Sequence, residues 1–183
     1  MERQDFRHEE PDRFVAGTVG EPGQRTFYLQ ARSGDALTSV ALEKAQVTAL
    51  TDRLEEMLDS VVRRSGGHAA VPAVTPAKVD DLGPLDVPLE EEFRVGTLAM
   101  TWLAEDDRVE LICTEVGQGE SGDQDDETLT SMTVRLTGAQ ARGFITRARA
   151  VVSAGRPPCP LCAQPLDPNG HICPRQNGFH RRS

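Results

Sequence analysis

The chain has 183 residues, of which 38% are hydrophobic, and its formal net charge is −9. This length is enough for one domain with an appendage, and no apolar run approaches the ~20 residues of a membrane-spanning helix. The first residues are charged and lack the apolar stretch of a secretory signal, so we expect a cytoplasmic protein with no membrane partner.

The charge is distributed unevenly along the chain. From Arg156 onward four arginines oppose one acid, Asp167, which leaves +3 on this segment and −12 on the preceding 155 residues. An acidic body disfavours broad binding to nucleic acid, which requires clustered Lys and Arg.

The first half predicts three strands and a helix after a flexible N-terminus, residues 1–12. Apolar residues that alternate over 13–19, 25–31 and 36–43, between turn-forming residues, predict the strands. Apolar residues then recur every three or four positions and predict a helix with one buried stripe: Val47, Leu50, Leu54, Met57 and Val61. Residues 13–64 therefore predict a βββα unit.

The second half predicts the same order of elements. Residues 65–92 contain prolines and a cluster of acids, and predict a linker. Strands are expected at 93–103, 108–116 and 128–137, with a helix at 138–153, so that this unit spans 93–155. A capping box of Thr137 and Gln140 is predicted at the helix start, and the expected buried face is Ala141, Phe144, Ile145, Ala148 and Val151.

Two pairs of short segments indicate that one unit is used twice. Residues 14–18 (FVAGT) resemble 93–97 (FRVGT), and residues 37–42 (LTSVAL) resemble 129–134 (LTSMTV), in the same order. The sequence thus predicts an α+β fold in which two βββα repeats form an antiparallel sheet with two packed helices. A small C-terminal zinc-binding module is expected after them.

The zinc module is predicted over residues 156–183. Two residues lie between Cys159 and Cys162, and His171 and Cys173 follow after a turn signal at 167–170. These four ligands suit one tetrahedral Zn²⁺ ion. The segment has almost no apolar core, so that metal binding would supply the free energy of its folding. His180 is an alternative to His171 as the fourth ligand.

We expect this zinc ion to be structural. A catalytic zinc keeps one coordination position open for water, whereas here four protein ligands fill the shell. Redox-active cysteines are the alternative, but a thioredoxin-like motif begins a helix, and several prolines surround this pair.

Other polar residues are interpreted without a catalytic role. His8 and His68 are expected to be exposed, and Cys113 to be a small buried residue. The acids Asp123, Asp125, Asp126 and Glu127 lack the spacing of a calcium-binding loop, and these acids and those at 90–92 are expected on the surface. The P-loop, GxSxG and HExxH patterns do not occur, and the glycine-rich stretch 117–122 (GQGESG), although it matches GxGxxG, leads into acids that would repel phosphate.

The C-terminal segment resembles an uncharacterised bacterial repeat-protein family of roughly this length, a domain of unknown function. The residues that carry the resemblance are CPLC at 159–162, GH at 170–171, CPR at 173–175 and NG at 177–178. Ala163 departs from the glycine that often follows the second cysteine of a zinc knuckle. The family has no established activity, so the resemblance implies no catalytic residues.

We expect a non-enzymatic binding or regulatory protein whose zinc module contacts an unidentified protein. The residues expected to make this contact are Arg175, Asn177, Phe179 and Arg182, because closing a zinc site does not require them. They could instead pack the module against the body. A hydrolase that uses carboxylates between the repeats, and a nucleic-acid-binding protein that acts through the basic tail, are the alternatives.

Overall fold

The computed structural model describes residues 3–21, 23–117 and 129–155, together with Cys159, Leu161 and Cys173. It is an α+β fold, as predicted. Its strands are β1 (Asp5–His8), β2 (Arg13–Val19), β3 (Thr26–Ser33), β4 (Ala36–Leu42), β5 (Glu91–Leu103), β6 (Arg108–Glu115) and β7 (Ser131–Thr137). Its helices are α1 (Lys44–Arg64), α2 (Gly138–Ser153) and a short 3-10 helix (Ala77–Val79).

All seven strands belong to one mixed sheet with the order β1-β7-β6-β5-β4-β3-β2. Each half of the chain forms an antiparallel meander, but β4 pairs with β5 in parallel. The prediction of a purely antiparallel sheet was therefore wrong. After β4 the chain passes through α1 and the linker, and this long connection returns β5 to the same direction, as parallel pairing requires.

The N-terminus also differs from the prediction. Residues 5–8, expected to be flexible, form β1 and pair in parallel with β7, with Asp5 opposite Ser131. This pairing covers an edge of β7 that would otherwise expose unpaired backbone groups. Four residues separate β1 from β2, although the two strands lie at opposite ends of the strand order. The sheet must therefore curve so that its two edges approach each other.

Both helices pack on the inner, apolar face of this curved sheet. In α1 the predicted residues Val47, Leu50 and Leu54 are buried, but Leu58 is buried in place of Met57 and Val61, which are half-buried. In α2 the ring of Phe144 stacks on Phe14 of β2, with 4.8 Å between ring centroids. Neither α1 nor α2 combines the length and hydropathy that crossing a bilayer requires.

The two helices begin in the same way. The predicted capping box of Thr137 and Gln140 starts α2, and at the start of α1 the side chain of Gln46 accepts from the N–H of Glu43 in the same way, at 2.7 Å. These contacts satisfy backbone N–H groups that a helix start leaves without an intrahelical acceptor. The Gln140 side chain also donates to the carbonyl of Pro11 at 2.8 Å, which ties α2 to the entry of β2.

The linker covers the outer face of the first meander. Leu85 lies against Gly17 of β2, where an added Cβ would come within 2.5 Å of the leucine side chain. The backbone of Asp86 is bound by the buried amide of Gln30, which accepts from its N–H at 2.7 Å and donates to its carbonyl at 3.1 Å. This meander is thus buried on both faces, between the linker and the helices.

Gly143 of α2 allows the linker to approach the helix closely. A Cβ at this position would lie 2.5 Å from the carbonyl oxygen of Val79. We therefore predict that Gly143→Ala lowers the free energy of unfolding by about 1–3 kcal/mol, although alanine favours a helix over glycine. Gly155→Ala is the control, since its Cβ would meet no atom closer than 3.7 Å. Urea unfolding measures both, and equal effects would contradict the close approach.

Candidate functional site

Two of the predicted zinc ligands lie next to each other. The Sγ atoms of Cys159 and Cys173 are 3.9 Å apart, and the two residues are 6% and 3% exposed. This distance is far longer than the ~2.05 Å of a disulfide. In a tetrahedral site with Zn–S bonds of ~2.3 Å, two sulfurs lie about 3.8 Å apart. The pair therefore has the spacing of two ligands on one zinc ion.

A backbone donor lies beside the sulfur of the first cysteine. The N–H of Leu161 donates to Cys159 Sγ at 3.4 Å. Leu161 is two positions after Cys159, so this donor comes from within the stretch that the Cys-x2-Cys spacing defines.

The other predicted residues of this module lie outside the described part of the chain. These are the ligands Cys162 and His171, the alternative ligand His180, and the contact residues Arg175, Asn177, Phe179 and Arg182. Among the described residues no group of three potential metal ligands comes together. The four-ligand site stays a prediction, of which the structure shows one pair.

A cluster of one aspartate and two arginines holds the linker against the body. The sequence did not predict this cluster. The carboxylate of Asp81 binds two arginines: Arg13 donates to it through Nε and, at 3.1 Å, through Nη2, and Arg147 donates through Nη1 at 3.2 Å. Arg147 is 5% exposed and also donates to the carbonyls of Ala16 and Asp81, each at 2.7 Å. The cluster thus joins β2, α2 and the linker.

The pKa values in this cluster follow from its geometry. Hydrogen bonds from Arg13 hold the pKa of Asp81 below its ordinary value, and burial opposes this effect. Burial lowers the pKa of Arg147, and the charge of Asp81 acts in the opposite direction. The three groups are therefore ionised together at neutral pH, which suits an ion-pair network that holds the linker in place.

An open cleft of about 840 Å³ lies beside this network. In this cleft the Oδ2 atom of Asp86 lies 3.3 Å from Arg13 Nη1 and 3.5 Å from Arg32 Nη1. Six acids and two arginines line it, and the acids are Asp12, Asp35, Asp81, Asp86, Glu90 and Glu92. The cleft is acidic, and its innermost charges already neutralise one another.

His8 was expected to be exposed, and this was wrong. It is 2% exposed, with Nδ1 2.8 Å from Ser33 Oγ and Nε2 2.9 Å from Thr38 Oγ1. β1 pairs with β7 at one edge of the sheet, and its His8 imidazole is buried against the β3–β4 hairpin, which the curvature of the sheet brings close to that edge. Burial lowers the pKa of His8, and both ring nitrogens are occupied by hydroxyl groups, so the residue fastens the edge of the sheet.

His68, the acids at 90–92 and Cys113 lie as expected, whereas Val151, expected in the buried face of α2, is half-buried. His68 and the acids at 90–92 are exposed. Cys113 is fully buried in β6, and burial raises the pKa of its thiol to about 12, which keeps it protonated. Asp123, Asp125, Asp126 and Glu127 lie outside the described residues.

The comparisons with known proteins identify the family. Residues 6–173 match the model of a family described as a protein of unknown function (DUF3090), and the chain belongs to this family. The predicted resemblance to an uncharacterised domain of unknown function is thereby confirmed. No curated protein and no solved structure matches the chain.

We predict that Asp81→Ala strongly destabilises the protein, because it leaves the buried guanidinium of Arg147 without a carboxylate. The expected loss in free energy of unfolding is about 3 kcal/mol. Asp52→Ala is the matched control: Asp52 pairs with Arg149 at 3.4 Å, but its side chain is 59% exposed, so we expect a loss within about 1 kcal/mol. Urea unfolding measures the free energy of unfolding of both variants. A small loss for Asp81→Ala would contradict a stabilising role of the ion-pair network.

We also predict that His8 makes stability depend on pH between about 7.5 and 5.5. Its pKa is lowered in the folded state, so below about 6.5 the unfolded chain binds a proton that the folded chain does not, and the free energy of unfolding falls. His8→Gln should reduce this dependence, whereas His68→Gln, at an exposed position, should keep it. Chemical unfolding at both pH values measures the difference in the free energy of unfolding. An unchanged pH dependence in His8→Gln would show that His8 is not its cause.

Proposed function

We propose that this protein is a non-enzymatic binding or regulatory protein whose C-terminal segment folds around one structural Zn²⁺ ion and contacts another protein. The proposed ligands are Cys159, Cys162, His171 and Cys173. The observation that supports this site is the buried Cys159–Cys173 pair, whose sulfurs are 3.9 Å apart without a disulfide bond. The N–H of Leu161 donates to one of these sulfurs.

The composition of the site favours a structural over a catalytic ion. Three cysteines and one histidine complete a tetrahedral shell and leave no position for water or substrate. Three thiolates would give the site a charge of −1, and the arginines of the segment, at positions 156, 175, 181 and 182, would balance it. When bound, the ion would supply folding free energy to a segment that lacks a core.

We propose that Arg175, Asn177, Phe179 and Arg182 form the contact surface. An aromatic and two arginines are residue types enriched where proteins bind one another tightly. The alternative is that these side chains attach the zinc module to the body. The body itself is proposed to be a duplicated βββα unit, a proposal supported by the repeated element order and by the glutamine side chain that accepts from the N-cap N–H at the start of each helix.

Two features favour binding over the hydrolase alternative. A general acid needs a carboxyl group with a raised pKa, whereas Asp5, Glu55 and Asp81 are all shifted downward by hydrogen bonds from their partners, Ser131, Arg149 and Arg13 respectively. In the cleft, the carboxylate of Asp81 binds two arginines, and these ion pairs hold the linker in place. The net charge of −12 on residues 1–155 also disfavours binding to nucleic acid through the body.

The zinc proposal predicts one metal ion per chain in protein purified without added chelator. His171→Ala should lose this zinc and His180→Ala should retain it, which separates the two candidate ligands in a matched pair. Elemental analysis of both variants is the measurement. Zinc retained in His171→Ala and lost in His180→Ala would assign the alternative ligand, and metal-free wild-type protein would reject the site.

The contact proposal predicts loss of a specific partner when Arg175 and Arg182 are both changed to Ala. Affinity purification from the native host followed by mass spectrometry should recover this partner with the wild type and not with the double variant, while the zinc content stays the same. Arg53→Ala with Arg63→Ala, on the outer side of α1, is the charge-matched control. Unchanged recovery with the tail variant would support attachment of the module to the body instead.

A further inference from the structure

An open cavity lies between the C-terminal half of α1 and the β5–β6 hairpin. Met57 and Val61 line it from the helix and Trp102 from the strand. All three are half-buried, although Met57 and Val61 belong to the apolar stripe that should lie in the core. The described part of β4 pairs with β5 no further than Arg94, so no described strand covers the side of β5 next to the cavity.

Trp102 is the single tryptophan of the chain. It lies opposite Val109 in the register of β5 and β6, and Val109 is 1% exposed on the core face. Because paired residues project to the same side of a sheet, the indole ring lies on the core face as well. It therefore extends the core into the cavity as a large flat apolar surface.

Polar groups surround this apolar wall. Ser60 and Arg64 of α1, and Asp107 of the hairpin turn, line the cavity. Gly66 and Gly67 adopt φ values of 62° and 86°, which turns the chain sharply after α1 and places His68 at the rim. Five of the ten lining residues are apolar and five are polar, and the volume of about 670 Å³ is that of a small-molecule site.

The charge of the lining selects the chemistry of a ligand. One arginine and one aspartate line the cavity, so its formal charge is zero with His68 neutral. The acidic cleft beside Asp81, by contrast, is lined by six acids and two arginines. A neutral lining does not repay the desolvation of a charged ligand, and an aromatic surface favours a second aromatic ring.

We propose that this cavity binds a small uncharged aromatic molecule, which stacks on Trp102 and contacts Met57 and Val61. Ser60 and His68 are placed to donate or accept hydrogen bonds at its edge. This site lies in the body of the protein and does not depend on the proposed zinc module.

The test uses N-phenyl-1-naphthylamine, an uncharged aromatic probe that accepts energy from tryptophan. Titrated into the full chain, it should bind saturably at one per chain and quench the emission of Trp102. Ser60→Phe, which fills the cavity, should weaken binding by at least about ten-fold, and Ala104→Phe at the exposed rim should weaken it in the same direction. Ala36→Phe, at an exposed position in β4, is the matched control and should leave the affinity unchanged.

A second probe tests the charge assignment. The anionic 8-anilinonaphthalene-1-sulfonate has a similar ring system and should bind at least about ten-fold more weakly. Equal or tighter binding of the anion would contradict the assigned ligand class. Binding that does not saturate, or that is the same in Ser60→Phe and Ala104→Phe as in the wild type, would overturn the site. Urea midpoints of the variants establish that a loss of binding does not come from unfolding.

Discussion

Residues 156–183 contain few apolar residues, and the proposal that this segment folds by binding metal rather than by hydrophobic burial starts from that constraint. The body buries a continuous core between its curved sheet and two helices. In residues 156–183 the described contacts are between the sulfur atoms of Cys159 and Cys173, 3.9 Å apart, and between the N–H of Leu161 and Cys159 Sγ. A segment without a core needs another source of folding free energy, and the proposed zinc ion would provide it.

The body depends on connections between residues that are distant in sequence. Asp81 links β2 to α2 through Arg13 and Arg147, and the backbone of Asp86 is held by Gln30. These contacts turn a linker into a layer that covers the outer face of the first meander. His8 makes another such connection at the β1 edge of the sheet, where its hydrogen bonds join β1 to the β3–β4 hairpin.

Within the described residues, the sequence predicted six of the seven strands and the helices α1 and α2, because their apolar periods and turn residues are local signals. It did not predict β1, since DFRH has no apolar alternation and the strand forms only where β7 offers an edge. The parallel pairing of β4 with β5 was also missed, because strand direction depends on the path of the whole linker.

The candidate sites also differ in how much of them a local sequence signal could predict. The cysteines were identified because zinc ligands recur at short, fixed spacings. The Asp81 network was missed since 68 residues separate Arg13 from Asp81, although an arginine at position 147, among the buried residues Phe144, Ile145 and Ala148, was an available signal. The cavity at Trp102 could not be predicted, because a sequence does not show which part of an apolar stripe stays uncovered.

X-ray absorption at the zinc edge of the purified chain measures the ligands of the proposed zinc site. We expect a first coordination shell of three sulfurs at about 2.3 Å and one nitrogen at about 2.0 Å. A shell of oxygen and nitrogen alone, or no zinc absorption from a C-terminal segment that is nevertheless folded, would contradict it.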